Sequence, residues 1–105
     1  KKELIIKGGE NISPREIDDT IYKHNSVLEV CTFGIFDEEY GEEISACVFL
    51  KDNFKANEKE LKDLCIADLG EYKTPSQIIF VDEPLPKGPS GKIQRLKIAE
   101  RFKQA

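Results

Sequence analysis

The period of apolar positions changes several times along the chain, and each change marks an element. Leu4-Ile5-Ile6, a Gly8-Gly9 pair and a return to Ile12 predict a small β-hairpin over 3–12. Ser13-Pro14-Arg15-Glu16 has the form of a capping box with Pro at the first helical position. Ile17 and Ile21 follow at i, i+4, so a helix is expected over 14–24, with His24 at its end. Val27 to Phe36 is rich in β-branched and aromatic residues, and Ile44 to Leu50 puts Ile44, Ala46, Val48 and Leu50 on one face. These two runs predict an antiparallel hairpin closed by a longer acidic loop, Asp37 to Glu42. Asn57-Glu58-Lys59-Glu60 opens a second helix whose apolar face is Leu61, Leu64, Cys65 and Leu69, with Gly70 in the C′ position. Tyr72-Lys73-Thr74-Pro75 reads as a connector and Gln77 to Val81 as a third strand. Ile93, Leu96, Ala99 and Phe102 mark a last helix, apolar inside and basic outside.

This order predicts one α+β domain over 1–105: a small, mainly antiparallel three-stranded sheet flanked by helices, with an N-terminal β-hairpin. The chain has no Met and opens directly on a strand-like run, so a piece of a longer protein is expected. No apolar run approaches the roughly 20 residues that cross a bilayer, and no signal-peptide pattern is present, so no transmembrane segment and a cytoplasmic location are expected.

Charge changes the picture at one end. The net charge of −4 argues against generic nucleic-acid binding. From Lys87 onward, however, six basic residues stand against the single acid Glu100, a local +5 on a body of −9. Two readings stay open: a solvated helix face, or an anionic ligand near Lys92. Cys31, Cys47 and Cys65 have no metal-ligand spacing and sit in apolar runs, which predicts small buried hydrophobes in a reducing compartment. His24 has no recognisable nucleophile partner and reads as structural. The acids of 37–42 read as solvated turn residues, and no metal site is expected.

The candidate chemistry lies in Pro84-Leu85-Pro86-Lys87-Gly88-Pro89-Ser90-Gly91-Lys92-Ile93. Its prolines and glycines predict a constrained loop that presents Lys92 just before a helix. An ammonium held there suits a phosphate or a carboxylate. Two function classes follow: an enzyme in which Lys92 handles an anion, or an RNA-binding module, since Gly88 to Gly91 is a GxxG. The GxxG loop of RNA-binding KH domains lies between two helices, and Glu83-Pro84-Leu85-Pro86 cannot be helical, so the enzyme reading is preferred. Gly8-Gly9 also has two readings at this point, a plain turn or a place where backbone approaches a ligand closely, and spacing alone favours the turn.

Taken together, the two glycine stretches carry a resemblance. Lys2-Glu3-Leu4-Ile5-Ile6-Lys7-Gly8-Gly9-Glu10-Asn11-Ile12-Ser13-Pro14 with Glu16-Ile17 is similar to the opening of the C-terminal domain of the adenylate-forming superfamily. That superfamily holds acyl-CoA synthetases, peptide-synthetase adenylation domains and beetle luciferases. Pro86 to Ile93 with Arg95 resembles the closing motif of the same domain, and Tyr72-Lys73-Thr74-Pro75 and Asp37-Glu38 with Gly41-Glu42 match between them. The resemblance runs end to end in motif order. The Gly-Gly-Glu-Asn variant looks most like fatty-acid and other acyl-CoA ligases.

The resemblance implies a mobile C-terminal domain of a larger enzyme, inactive alone, working against its own N-terminal domain. ATP and CoA would be substrates, with Mg2+ on ATP held mainly by that absent domain. A carboxylic acid, expected to be a fatty acid, would be adenylated and then transferred to CoA. The domain would rotate between the steps. It also implies roles: Lys92 catalytic in adenylation; Lys87, Gly88, Ser90 and Gly91 its loop; Gly8, Gly9, Glu10 and Asn11 the thioester-step loop; Lys2 the hinge. An exposed Lys92 would further be open to acetylation as a switch. Two departures stand out: Ile6 occupies a position where some plant and beetle relatives carry a functional lysine, and Pro89 replaces a common basic or polar residue. Loading of a carrier protein, and a free-standing scaffold domain, remain the alternatives.

Overall fold

The computed structural model describes residues 3–103, so Lys2, the expected hinge, lies outside the described residues. A hairpin of β1 (Ile5–Lys7) and β2 (Glu10–Ile12) leads into α1 (Pro14–Ile21). Strands β3 (Val27–Asp37) and β4 (Gly41–Leu50) follow, then α2 (Glu58–Leu69), β5 (Gln77–Val81) and α3 (Arg95–Lys103). The main sheet runs in the order β3-β4-β5. Its long β3–β4 ladder is antiparallel, whereas β5 runs parallel to β4. The sheet is therefore mixed, because α2 carries the chain back across one face before β5 begins, as a parallel connection requires.

The sheet separates two apolar layers. On one face Val30, Ile44, Ala46, Val48 and Ile78 pack against Ile17 and Ile21 of α1, Leu61 and Cys65 of α2, and Ile5 and Ile12 of the hairpin. On the other, Cys31, Phe33 and Cys47 meet Leu85 and Ile98, with Phe102 stacked on Phe33 at 5.8 Å between ring centroids. The alternation of β3 obeys the period of two only after a register shift between Val27 and Glu29, which returns Val27 to the same face as Val30. All three cysteines are free and buried. No helix among the described residues is long and apolar enough to cross a membrane.

Several expectations need correction. Helix α1 ends at Ile21, not at 24: the N–H groups of Lys23 and His24 turn back to the carbonyls of Thr20 and Ile21, tightening the last turn. His24 Nδ1 accepts a hydrogen bond from the Ser26 N–H at 3.1 Å. The acidic loop is shorter than expected, because Asp37 pairs with Gly41 and the Asp37 carboxylate accepts the N–H groups of Glu39 and Tyr40. Glu42 and Glu43 are strand residues with partners: Glu42 accepts the Ile6 N–H at 2.7 Å, and Glu43 pairs with Lys7 at 3.0 Å. In α3 the inward residues are Ile98, Ala99 and Phe102, and Leu96 stands 67% exposed. The helix starts only at Arg95, whose side chain goes inward with Ile98, so Ile93, Ala99 and Phe102 pack as expected and Leu96 alone is displaced from the buried side.

Candidate functional site

The loop before α3 is built by its own backbone. Lys87 and Ile93 bridge antiparallel, the Gly88 N–H donates to the Lys92 carbonyl at 3.0 Å, and the Gly91 N–H donates to the Gly88 carbonyl at 2.9 Å. This is a three-residue hairpin loop, Pro89-Ser90-Gly91. Gly91 at φ +85° supplies the left-handed residue that such a loop needs, and Pro89 has the fixed φ suited to the first turn position. The Gln94 N–H closes the base on the Pro86 carbonyl at 2.9 Å. Lys92 is exposed at the end of this frame. The GxxG thus lies between a strand and a helix, not between two helices.

Two side-chain clusters fix the loop to the body. Arg95 Nη1 donates to Asp18 Oδ2 at 2.9 Å and to the Thr32 carbonyl at 2.8 Å, while its Nε donates to Glu3 Oε1 at 3.1 Å. The other Asp18 oxygen accepts the Thr32 N–H at 2.8 Å, so one carboxylate joins α1, the edge of β3 and the start of α3. Burial pushes the Asp18 carboxyl above its ordinary value, with the Arg95 guanidinium pulling the other way. Burial also works against the charge on Arg95, but Asp18, with smaller help from Cys31 and Glu3, outweighs it and the guanidinium is held above its ordinary value. At the loop's other root, Glu29 accepts the Leu85 N–H at 2.8 Å and pairs with Lys87, which also donates to the Leu85 carbonyl. Lys87, expected as a residue of this loop, is thus paired at its root and tethers it to β3.

Lys87, Gly91, Lys92 and Arg95 line an open groove of about 1080 Å³ bordered by Arg15 and Glu29. The Gly8-Gly9 turn, Glu10 and Asn11 do not line it; all four are exposed at the tip of the first hairpin. Gly8 and Gly9 both have positive φ, +56° and +83°, as a two-residue primed turn requires. Beneath that turn lies a second depression of about 550 Å³, lined by Lys7, Tyr40, Glu43 and Tyr72 among others. The structure thus places the two expected loops in separate surroundings. Among the described residues no group of three or more His, Cys, Asp or Glu side chains could hold a metal ion.

Asp18, Glu29, Tyr40 and Tyr72 were not singled out by pattern. Their partners lie 14 to 77 positions away, beyond the reach of any local period. A polar residue at a helix position facing inward, as Asp18 does beside Ile17 and Ile21, was the one available signal.

Comparison with known proteins adds the following. Residues 16–92 match the family described as AMP-binding enzyme C-terminal domain. The chain is 50% identical over 97 residues to a sulfoacetate–CoA ligase of Cupriavidus necator, covering 92% of this chain and 19% of that one. It is 43% identical over 103 residues to a mitochondrial medium-chain acyl-CoA ligase of Rattus norvegicus, covering 98% and 17%. Among solved structures, ATP-bound MatB from Rhodopseudomonas palustris superposes with a TM-score of 0.90 at 30% identity, covering 97% of this chain and 20% of that one. The chain spans about a fifth of the length of these relatives.

Proposed function

The chain belongs to the AMP-binding enzyme C-terminal domain family, and from that premise we propose that it is the mobile C-terminal domain of an AMP-forming acid–CoA ligase. In the first step a carboxylate oxygen attacks the α-phosphorus of ATP, an O–P bond forms and pyrophosphate leaves. In the second the sulfur of CoA attacks the acyl carbon, a thioester forms and AMP leaves. Both substrates, and Mg2+ with ATP, would be held mainly by a separate N-terminal domain. No step is assigned to a metal on this chain.

The observation that carries the reading is Lys92 standing exposed on a loop made rigid by its own hydrogen bonds and by Arg95 and Glu29. A charge fixed in this way can hold the carboxylate against the α-phosphate and stabilise charge that grows in the transition state, without reorganising at the moment of reaction. Gly8, Gly9, Glu10 and Asn11 serve the second step from the other loop, where a backbone turn without side chains leaves room for a narrow thiol arm. Alternation between the two needs a hinge, which we assign to Lys2. The exposed Leu96 is suited to burial against the N-terminal domain.

For the acid we favour a fatty acid, since one relative is a medium-chain acyl-CoA ligase. Sulfoacetate is the competing substrate, because the sulfoacetate–CoA ligase shares half of its matched residues with this chain. CoA is favoured over a carrier protein as acceptor by the names of both. The test is acid-dependent ATP–pyrophosphate exchange by the full-length ligase, with octanoate and sulfoacetate in the panel. Lys92→Ala is expected to lower exchange about a thousandfold. Exchange unchanged by that substitution would remove Lys92 from the adenylation step.

A further inference from the structure

The hairpin that carries Gly8 and Gly9 has two strands of three residues each, too little to hold a position by itself. Ile5 and Ile12 seat its base in the core, and the side chain just before the turn holds its tip. Lys7 is only 6% exposed. Its Nζ pairs with Glu43 Oε1 at 3.0 Å, donates to the Tyr72 carbonyl at 2.8 Å, and lies 4.3 Å from the Tyr72 ring centroid and 5.1 Å from that of Tyr40. The two rings meet edge to face at 6.0 Å and form two walls of a box around the ammonium. A buried charge is costly unless every side of it is engaged, so this box admits one arrangement of Lys7.

The backbone is read as closely as the side chain. The Tyr72 hydroxyl donates to the Lys7 carbonyl at 2.7 Å, and the Gly8 N–H donates to the Tyr40 carbonyl at 2.7 Å. A Cβ added at Gly8 would overlap the Tyr72 hydroxyl oxygen. The turn is therefore seated on that oxygen, and its glycine serves close approach as well as a positive φ.

We propose that Lys7 and Tyr72 are positioning residues for thioester formation: the lysine box and the tyrosine hydroxyl set the height of the Gly8-Gly9 turn above the body. The proposal rests on the two-step reading given above. Neither side chain touches reacting atoms; both act through the turn. Nothing in this cluster lines the groove of Lys92, so the two half-reactions should respond differently.

The test uses the full-length ligase with whichever of octanoate and sulfoacetate supports exchange. Adenylation is read as pyrophosphate exchange, and the second step as thioester formation from preformed acyl-adenylate and CoA. Gly8→Ala is expected to slow the second step about a hundredfold, the effect of a displacement near 1 Å, and to change exchange by less than about twofold. Tyr72→Phe and Lys7→Met are expected to slow it about tenfold, with Lys7→Arg recovering part of the loss. The double variant Gly8→Ala, Tyr72→Phe should run faster than Gly8→Ala alone, because the overlapping oxygen is gone. Retained exchange shows that each variant is folded. Equal loss in both half-reactions, or a double variant slower than Gly8→Ala, would overturn the positioning role. No exchange by the wild type with either acid would instead overturn the two-step reading, and this proposal with it.

Discussion

The loop that presents Lys92 and the turn made by Gly8 and Gly9 are both short, glycine-dependent and exposed, yet they are braced in different ways. The Lys92 loop closes on itself through backbone bonds at Gly88, Gly91 and Gln94, and the body holds only its two roots, by Glu29 at one and Arg95 at the other. The Gly8-Gly9 turn closes the β1–β2 ladder, with Lys7 opposite Glu10 at its end, and the body reaches the turn itself. That turn leans on Tyr72, 65 positions away, and on a lysine boxed by two aromatic rings. The contrast fits what each part is proposed to deliver. A loop that presents one charged side chain needs a stiff frame of its own, whereas a turn that presents bare backbone can take its height from a neighbour.

The contrast breaks most completely at Asp18. Its carboxylate joins three elements, and Asp18→Ala would leave the partly buried Arg95 without its main counter-charge and the Thr32 N–H without its acceptor. Breaking such a pair costs about 3–5 kcal/mol, a large share of the roughly 5–15 kcal/mol that holds a domain of this size. Urea unfolding should show a midpoint lowered accordingly. Replacing both partners, as Asp18→Ala with Arg95→Met, should recover much of the loss, since an apolar pair needs no compensation. If the double variant is no more stable than the single one, the cluster acts through the Thr32 N–H rather than through the guanidinium.

These clusters also mark where pattern reading stops. The strands, the Asn57–Glu60 capping box and the inward Ile17 and Ile21 follow from local spacing, and the structure has each of them. The box is complete: the Glu60 N–H donates to Asn57 Oδ1 at 2.8 Å and the Asn57 N–H to Glu60 Oε1 at 2.9 Å. The loop of Lys92 was equally legible, because proline and glycine declare it. What local spacing does not contain is the direction of a charged side chain. Arg95 sits in a basic run and reads as outward, but it points in because Asp18 and the Thr32 carbonyl wait there. Tyr72 reads as a connector for the same reason. The parallel pairing of β5 follows from which face α2 crosses, which only packing decides.

The thiols test whether the contrast extends below the surface. Cys31 lies 3.5 Å from Arg95, on the side of α3, while Cys65 is buried under α2 on the opposite face of the sheet. Burial pushes the Cys31 thiol up to about 12, and those of Cys47 and Cys65 up to about 11, from 9.0. A thiol raised in this way stays protonated in the folded chain while the unfolded chain loses its proton. Stability is therefore intact below pH 9 and falls as pH rises from there toward 11 or 12, by about 1.4 kcal/mol per pH unit and thiol. Comparing urea unfolding at pH 8 and pH 10, Cys31→Ala and Cys65→Ala should each remove a similar part of the alkaline loss. That result would place the difference between the loops in their surface braces. A loss removed by only one substitution would place it in the core instead.

The smallest effect is expected at Glu29, and it separates the two roots of the Lys92 loop. Glu29→Gln keeps an oxygen able to accept the Leu85 N–H but loses the ion pair with Lys87. Both partners of that pair are partly exposed, and pairs of this kind contribute about 1 kcal/mol or less. Pyrophosphate exchange should therefore fall only a few-fold, and thioester formation from preformed adenylate should not change. Glu29→Ala removes the acceptor as well and leaves a buried N–H unpaired, so its loss should be larger. If Glu29→Gln already abolishes exchange, the charge at Lys87 must be set by its pairing and must face the reacting phosphates, and Lys87 returns from tether to participant. If neither substitution moves exchange, the frame made by Gly88, Gly91 and Gln94 is sufficient, with Arg95 the only root that matters.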